Sequence, residues 1–257
     1  MLGLLETAGS FVAGPAVANP REATFQWLAL TAVVVATWVM LLIEKRPWSF
    51  VSLGRNAATP AVLANGALLG AATIGTASLV LLATHMLRID PTVPGSWWGA
   101  AGRSAVMLLP AAFFEELFIR GFAFAVLRRA GGWRMALIVT SVVFGLLHAW
   151  NPGADAESIL AVTVAGFFLG GILLATGSLY AAGAAHFAWN WVMAGALHIS
   201  VSGIPSVDPD YRTVETGPDW LTGGAWGPEG GLAAVAAMFV AIFYLYGRYL
   251  RRMELKG

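Results

Sequence analysis

The stretch of sequence that decides the fold is Trp98 to Leu127, WGAAGRSAVMLLPAAFFEELFIRGFAFAVL. A helix needs about 20 predominantly apolar residues to cross a hydrocarbon core of about 30 Å, and this stretch exceeds that length. It nevertheless carries Glu115, Glu116 and Arg120 between long apolar runs. Because ionisable groups at bilayer depth are costly and are usually retained for a function, the stretch predicts both a membrane span and a functional site.

The composition of the whole chain fits a membrane environment. Of its 257 residues, 58% are hydrophobic and 11% are charged, and the mean hydropathy is +0.72. This balance lies far from that of a soluble domain. Apolar runs of helical length predict about seven spanning helices, at residues 25–43, 61–87, 98–127, 133–150, 158–175, 179–200 and 231–249. The prediction is an all-α, polytopic transmembrane helix bundle, a single integral membrane domain over residues 1–257 with a motif-bearing core at 97–200.

The distribution of basic residues predicts the orientation. Cytoplasmic loops retain Lys and Arg, and one side of the bundle collects Lys45, Arg46, Arg55, Arg128, Arg129, Arg134, Arg248, Arg251, Arg252 and Lys256. The N-terminus is then outside and the C-terminus cytoplasmic, in a bacterial-type cytoplasmic membrane. The opposite side collects acidic residues, including Glu229, in a long loop over 201–230. Residues 1–20 contain Glu6, Pro15 and Pro20, so an N-terminal interfacial or re-entrant segment is predicted rather than a span or a signal peptide.

Several function classes receive no support from the sequence. A net charge of +1 and the lack of a phosphate-binding glycine loop argue against nucleic acid and nucleotide as partners. With no cysteine in the chain, disulfides, thiolate metal sites and a cysteine nucleophile are excluded. The predicted partners are the lipid bilayer and a membrane-associated peptide or protein substrate.

The charged side chains of the third predicted span point in different directions. Counting about 1.5 Å per residue, Glu115 is roughly 20 Å from Arg128 and about 26 Å from Trp98, near the middle of the membrane. Glu116 and Arg120 are four positions apart on one helical face, so an intrahelical ion pair is predicted. Consecutive side chains diverge by about 100°, which leaves Glu115 free to face a cavity. A purely structural ion pair beside a protonated Glu115 is the alternative.

Two further predicted spans supply groups for acid–base chemistry at overlapping depths. Phe144 and His148 lie one turn apart, and so do His186 and Asn190. Phe144 is predicted to wall a pocket beside His148. Asn190 is placed to orient the His186 ring or to donate its amide to a developing oxyanion. Because three helices bring such costly groups to one level, function is favoured over packing.

These residues carry a family resemblance. The strings Glu115-Glu116-Leu-Phe-Ile-Arg120-Gly, Phe144-Gly-Leu-Leu-His148 and His186-Phe-Ala-Trp-Asn190 resemble the three ordered motifs of the CPBP family. That family comprises the CAAX prenyl-protein endopeptidases, or Ras-converting enzymes, and bacterial relatives that include bacteriocin-immunity-type proteins. The resemblance covers about residues 97 to 200, and the ends match only in being hydrophobic.

The resemblance implies a glutamate-dependent intramembrane endopeptidase. On that analogy Glu115 is the general base that activates water, His148 helps to hold the water, and His186 and Asn190 stabilise the tetrahedral oxyanion. Glu116 and Arg120 brace the site. Peptide hydrolysis needs an activated water, stabilisation of negative charge and a proton for the leaving amine, and the residues present can supply all three.

Three alternatives remain open at this point. His148, His186 and Glu115 offer three zinc ligands with water as the fourth, although no obligatory cofactor is expected and no His-Glu-x-x-His signature occurs. A second reading is a catalytically silent relative that binds or scaffolds a membrane partner or confers immunity. A third is a small proton-coupled transporter whose buried Glu and His residues relay protons.

Overall fold

The computed structural model describes residues 20–91, 97–206 and 211–254. It confirms the all-α polytopic bundle. The helices are α1 Pro20–Ile43, α2 Pro60–Ala83, α3 Trp97–Arg120, α4 Phe122–Leu147, α5 Ala156–Thr176, α6 Leu179–Trp191, α7 Asp219–Thr222 and α8 Leu232–Glu254. Strand β1, Leu87–Pro91, pairs antiparallel with β2, Tyr211–Glu215, so that Leu87 lies opposite Glu215. The predicted N-terminal interfacial segment lies outside the described residues, apart from the first residue of α1.

Over these residues, five helical stretches are long and apolar enough to cross a membrane: Arg21–Ile43, Pro60–Ala83, Trp97–Trp150, Ala156–Thr176 and Leu232–Glu254. The third of them contains both α3 and α4. Helix α6 has 13 residues and continues into a π-helical segment at Val192–Leu197, which lengthens it. The chain is therefore an integral membrane protein, and the count of seven spans stays a prediction.

The third predicted span ends earlier than the sequence indicated. Helix α3 ends at Arg120, and the chain bends at Gly121, where φ is −80° and ψ is −113°. A Cβ atom at this position would lie 2.2 Å from the carbonyl oxygen of Leu117, so the bend requires glycine. A second break at Gly131 and Gly132 falls where the sequence predicted the loop between the third and fourth spans. Gly132 has a φ of 80°, which favours glycine.

Helix α6 lies at the centre of the bundle, packed against α2, α3 and α5. Its alanines are buried, and Gly66 and Gly70 of α2 lie directly against two of them. A Cβ atom at Gly70 would lie 2.0 Å from the carbonyl oxygen of Ala185, and one at Gly66 would lie 2.3 Å from that of Ala181. The two glycines therefore allow close backbone approach, as small residues four positions apart do in membrane bundles. This contact fixes the level of His186.

The close approach of α2 and α6 leads to a prediction. Gly70→Ala is expected to lower the free energy of unfolding by about 1–3 kcal/mol, because the added methyl group meets backbone that cannot move aside cheaply. Gly75→Ala on the same helix is the matched control, since a Cβ atom there meets nothing within 4 Å. The control is expected to change stability by less than about 1 kcal/mol. Thermal and denaturant unfolding in detergent measures both, and equal effects would contradict the packing argument.

The long loop predicted over residues 201–230 folds over one end of the bundle. Residues 207–210, which include Asp208 and Asp210, lie outside the described part of the chain. The rest of the loop contains β2, α7 and two short 3-10 turns at Gly224–Trp226 and Pro228–Gly230. Trp226 and Glu229 are buried there, with 3% and 6% of their surfaces exposed. The sequence placed Glu229 among the acidic residues of the outer side, and its burial was not predicted.

Candidate active site

The polar centre of the bundle is built on α3. Arg120 Nη1 donates to Glu116 Oε1 over 2.7 Å, and both side chains are fully buried. This is the ion pair that the four-residue spacing predicts. Arg120 Nη2 also donates to the carbonyl oxygen of Gly166 on α5, over 3.1 Å. The pair thus links α3 to α5 at membrane depth, and the hydrogen bonds compensate the cost of removing both charges from water.

His186 of α6 lies between the two carboxylates of α3. Its Nδ1 is 3.1 Å from Glu116 Oε1, and its Nε2 is 3.9 Å from Glu115 Oε2. Because the ion-paired carboxylate of Glu116 can only accept, Nδ1–H is the donor in the first contact. Glu116 therefore fixes the orientation of the His186 ring and directs Nε2 toward Glu115.

Glu115 points away from the ion pair, as the turn of the helix requires. Its Oε2 is buried and has no hydrogen-bond partner among the described residues. The Glu115 side chain is 18% exposed. It lines two cavities, one beside His148, His186 and Asn190 and one toward α1. A buried carboxylate oxygen that the protein leaves unsatisfied, beside a cavity, is placed to accept from a water molecule or a substrate group.

His148 follows the last residue of α4, and its ring is held from the preceding turn. Nδ1 lies 2.8 Å from the carbonyl oxygen of Phe144. A carbonyl only accepts, so Nδ1 carries the hydrogen, and in the neutral ring Nε2 then presents a lone pair. The Phe144 ring packs 4.8 Å from the His148 ring and 5.8 Å from the His186 ring, and the Arg120 guanidinium lies 4.7 Å from its centroid. Phe144 therefore packs against both imidazole rings and the guanidinium, and it lines the larger of the cavities beside Glu115.

Two cavities meet at Glu115 and His148. The smaller, about 50 Å³, is also lined by His186, Asn190, Ser202 and Gln26, and it has room for a water molecule. The larger, about 680 Å³, lies between α1, α3 and α4 and is walled almost wholly by apolar side chains. The side chains predicted to converge from the third, fourth and sixth spans thus surround one space, which opens into an apolar groove.

Sequence reasoning missed three residues of this site. Gln26 of α1 and Ser202 line the small cavity, and Glu229 lines a smaller one of about 20 Å³ next to it, together with His148, His186 and Asn190. Gln26 is a polar residue at the start of a predicted apolar span, a signal that was available. Ser202 and Glu229 lie in a segment rich in Gly and Pro, where no periodicity indicates which side chain faces inward.

The geometry bears on the zinc alternative through the ligands that the site could offer. No three His, Cys, Asp or Glu side chains in residues 20–91, 97–206 and 211–254 are grouped so as to hold a metal ion. The Nδ1 atoms of His148 and His186 are both engaged by oxygen acceptors, so each ring has only Nε2 to offer a ligand. Glu115, His148 and His186 line the same small cavity, and a metal-independent site stays a prediction.

Fold and site together define an integral membrane protein with a buried constellation of carboxylate, imidazole and amide groups around an intramembrane cavity. Residues 97–192, which contain all three motifs, match the family model described as Type II CAAX prenyl endopeptidase Rce1-like. This segment is therefore similar to a family of proteases, and the resemblance predicted from the motifs is confirmed. Comparisons with curated proteins and with solved structures gave no match.

Proposed function

We propose that this protein is an intramembrane endopeptidase that hydrolyses a peptide bond of a membrane-associated peptide or protein terminus with a water molecule activated by Glu115. The observation that carries the proposal is the unsatisfied Oε2 of Glu115, which faces a water-sized cavity shared with His148, His186 and Asn190. The match to a protease family supports hydrolysis as the reaction.

In the proposed steps Glu115 acts first as a base and then as an acid, while the other groups hold the water or stabilise charge. Water in the small cavity donates one hydrogen bond to Glu115 and the other to the lone pair on His148 Nε2. Glu115 takes a proton as the water oxygen attacks the carbonyl carbon, and the negative charge moves to the carbonyl oxygen. The Asn190 amide and a protonated His186 Nε2 are the donors available to that oxyanion. Glu115 then returns the proton to the leaving nitrogen as the C–N bond breaks, which regenerates the carboxylate.

The apolar groove supports a substrate with a hydrophobic segment or lipid next to the bond that is cleaved. Its 680 Å³ lies within the size range of small-molecule sites, and its inner end is formed by Glu115 and His148. Phe25 and Leu28 of α1 form the opposite wall. A substrate chain lying in this groove would present its backbone to the polar cavity while its apolar part remains out of water.

Contacts between the basic segments support a cytoplasmic C-terminus. The guanidinium groups of Arg46, after α1, and Arg129, before the Gly131 break, lie 5.6 Å and 5.9 Å from the ring of Phe50. Arg252, at the end of α8, donates to the carbonyl oxygen of Ala175 at the end of α5. Basic residues from distant parts of the chain therefore share one end of the bundle, which the positive-inside rule assigns to the cytoplasm of a bacterial-type membrane.

The test is a comparison of membrane-protein termini in cells that carry the native protein or Glu115→Gln. The substitution removes the base and keeps the shape of the side chain. We expect a set of termini that depend on the native protein and are lost in the variant. An identical set of termini in both cells, with the variant folded and present in the membrane, would defeat the protease proposal and favour a silent binding protein.

Removal of metal provides a separate prediction. Purified protein treated with chelator until metal analysis finds no bound zinc is expected to keep its cleavage rate within about twofold, because Glu115 rather than a metal activates the water. The rate is measured on a peptide that spans a cleavage site found in the comparison of termini. Loss of turnover on chelation, restored by stoichiometric zinc, would instead support a metal-activated water.

A further inference from the structure

Glu229 is a buried carboxylate that the reaction does not use. It lies in the 3-10 turn before α8 and is 6% exposed. Its Oε2 accepts from Trp189 Nε1 over 2.8 Å, and its Oε1 accepts from both the backbone N–H and the hydroxyl of Ser202, over 2.7 Å and 2.6 Å. Three donors from two other parts of the chain therefore converge on this one side chain.

The hydrogen bond from Trp189 to Glu229 holds α6 at one rotation about its own axis. The indole ring is held at its nitrogen by Glu229 and packs 5.9 Å from the ring of Phe168 on α5. Successive residues of a helix differ by about 100° in direction, so fixing Trp189 on one side of α6 fixes the direction of its neighbour Asn190. Asn190 lines the small cavity, and its direction decides whether its amide reaches a developing oxyanion.

The contact with Ser202 bears on the wall of the cavity. Val201 and Ile204 exchange two backbone hydrogen bonds, of 3.0 Å and 2.8 Å, around a tight turn. Ser202 and Gly203 at its corner have φ values of 50° and 78°. Positive φ at both corner residues is typical of the type I′ turn, and serine is strained there. The two hydrogen bonds to Glu229 stabilise this strained residue, and Asn151 Nδ2 donates to its carbonyl oxygen over 2.9 Å.

We propose that Glu229 is a positioning residue that sets the Ser202 turn and Asn190 at the reaction cavity. The inference rests on the proposed function, since it concerns the geometry of that same site. Glu229 touches neither the water nor the substrate in this account. It acts through Trp189 and Ser202, and its three accepted hydrogen bonds cannot all be kept by a side chain with one acceptor oxygen.

Glu229→Gln tests this requirement, because an amide has one oxygen and its NH₂ group cannot accept. We expect termini that depend on Glu115 to fall about 10- to 100-fold in abundance in cells with Glu229→Gln, the effect of a small misplacement of catalytic groups. In the purified variant, we expect kcat to fall and KM to stay nearly unchanged. The Trp189 indole N–H signal in NMR spectra, identified by its loss in Trp189→Phe, should shift.

Glu215→Gln is the matched control. It makes the same chemical change in the same outer segment, but Glu215 accepts from Thr222 and lines none of the cavities around Glu115. It is expected to leave the termini and the Trp189 signal unchanged. Ser202→Ala covers the case in which Glu229→Gln fails to fold, since it removes one donor and keeps the carboxylate paired. A loss of about fivefold in kcat is expected for it, with the melting temperature lowered by no more than a few degrees for the one lost hydrogen bond.

The outcomes separate the two proposals. Native levels of Glu115-dependent termini in Glu229→Gln would overturn the positioning role and leave the proposed function intact. A loss of activity in Glu229→Gln that follows its melting temperature, with Ser202→Ala fully active, would reduce Glu229 to a structural residue and also overturn it. If no terminus depends on Glu115 in the native cell, the proposed function itself is wrong.

Discussion

Glu115→Gln is expected to lower the turnover of the purified protein by about 1,000-fold, within the range that general bases contribute. The amide cannot take a proton from water, and the other groups of the site remain in place. The stability of the protein is expected to be kept or slightly increased, because Glu115 Oε2 has no hydrogen-bond partner within the described chain and the variant buries no charge there. Cleavage kinetics and thermal unfolding on the same preparation measure both quantities.

The adjacent glutamate provides the control for this substitution. Glu116→Gln makes the same change one residue along α3, but it removes the counter-charge of Arg120 and weakens the acceptor Oε1 that Arg120 and His186 Nδ1 share. Glu116→Gln is expected to lower the free energy of unfolding by about 3–5 kcal/mol, because the guanidinium is then buried without its counter-charge. A Glu115→Gln protein that retains native turnover, or that is destabilised as much as Glu116→Gln, would show that the two roles are assigned wrongly.

The different directions of these two neighbouring side chains could be predicted from the sequence. The four-residue spacing of Glu116 and Arg120 places them on one face, and helix geometry then turns Glu115 by about 100°. The same periodicity brings Phe144 next to His148 and puts His186 and Asn190 one turn apart. Each of these predictions uses local helix geometry together with depth in the membrane. The convergence of the side chains around one cavity could be anticipated for that reason.

The missed parts of the site arise from tertiary structure. Glu229 lies in a segment rich in Gly and Pro whose burial depends on the fold of residues 198–206 and 224–230 against α6. No hydrophobic periodicity in the sequence distinguishes Glu229 from Glu215 or Asp219, which are more exposed. The early end of α3 has a similar cause, since apolar residues continue past Gly121 and only the approach of the Leu117 carbonyl shows why the chain bends there.

Arg120→Leu is expected to destabilise the protein by about 3–5 kcal/mol, the cost of leaving one partner of a buried ion pair uncompensated. The substitution removes the hydrogen bonds to Glu116 and Gly166 and the contact with the ring of Phe144. Arg103→Leu is the matched control on the same helix, where the arginine is exposed, and a change within about 0.5 kcal/mol is expected for it. Unfolding in detergent, followed by thermal and denaturant titration, compares the two.

The double variant Glu116→Leu, Arg120→Leu separates the cost of a lone charge from the loss of the pair's contacts. It still leaves the Gly166 carbonyl and His186 Nδ1 without their partners, so it should remain less stable than the native protein. It is expected to be more stable than Arg120→Leu alone by about 1 kcal/mol or more, because no unpaired carboxylate stays buried in the apolar core. A double variant less stable than Arg120→Leu would mean that Glu116 contributes chiefly through His186, and that the carboxylate's main structural task is to orient the imidazole beside Glu115.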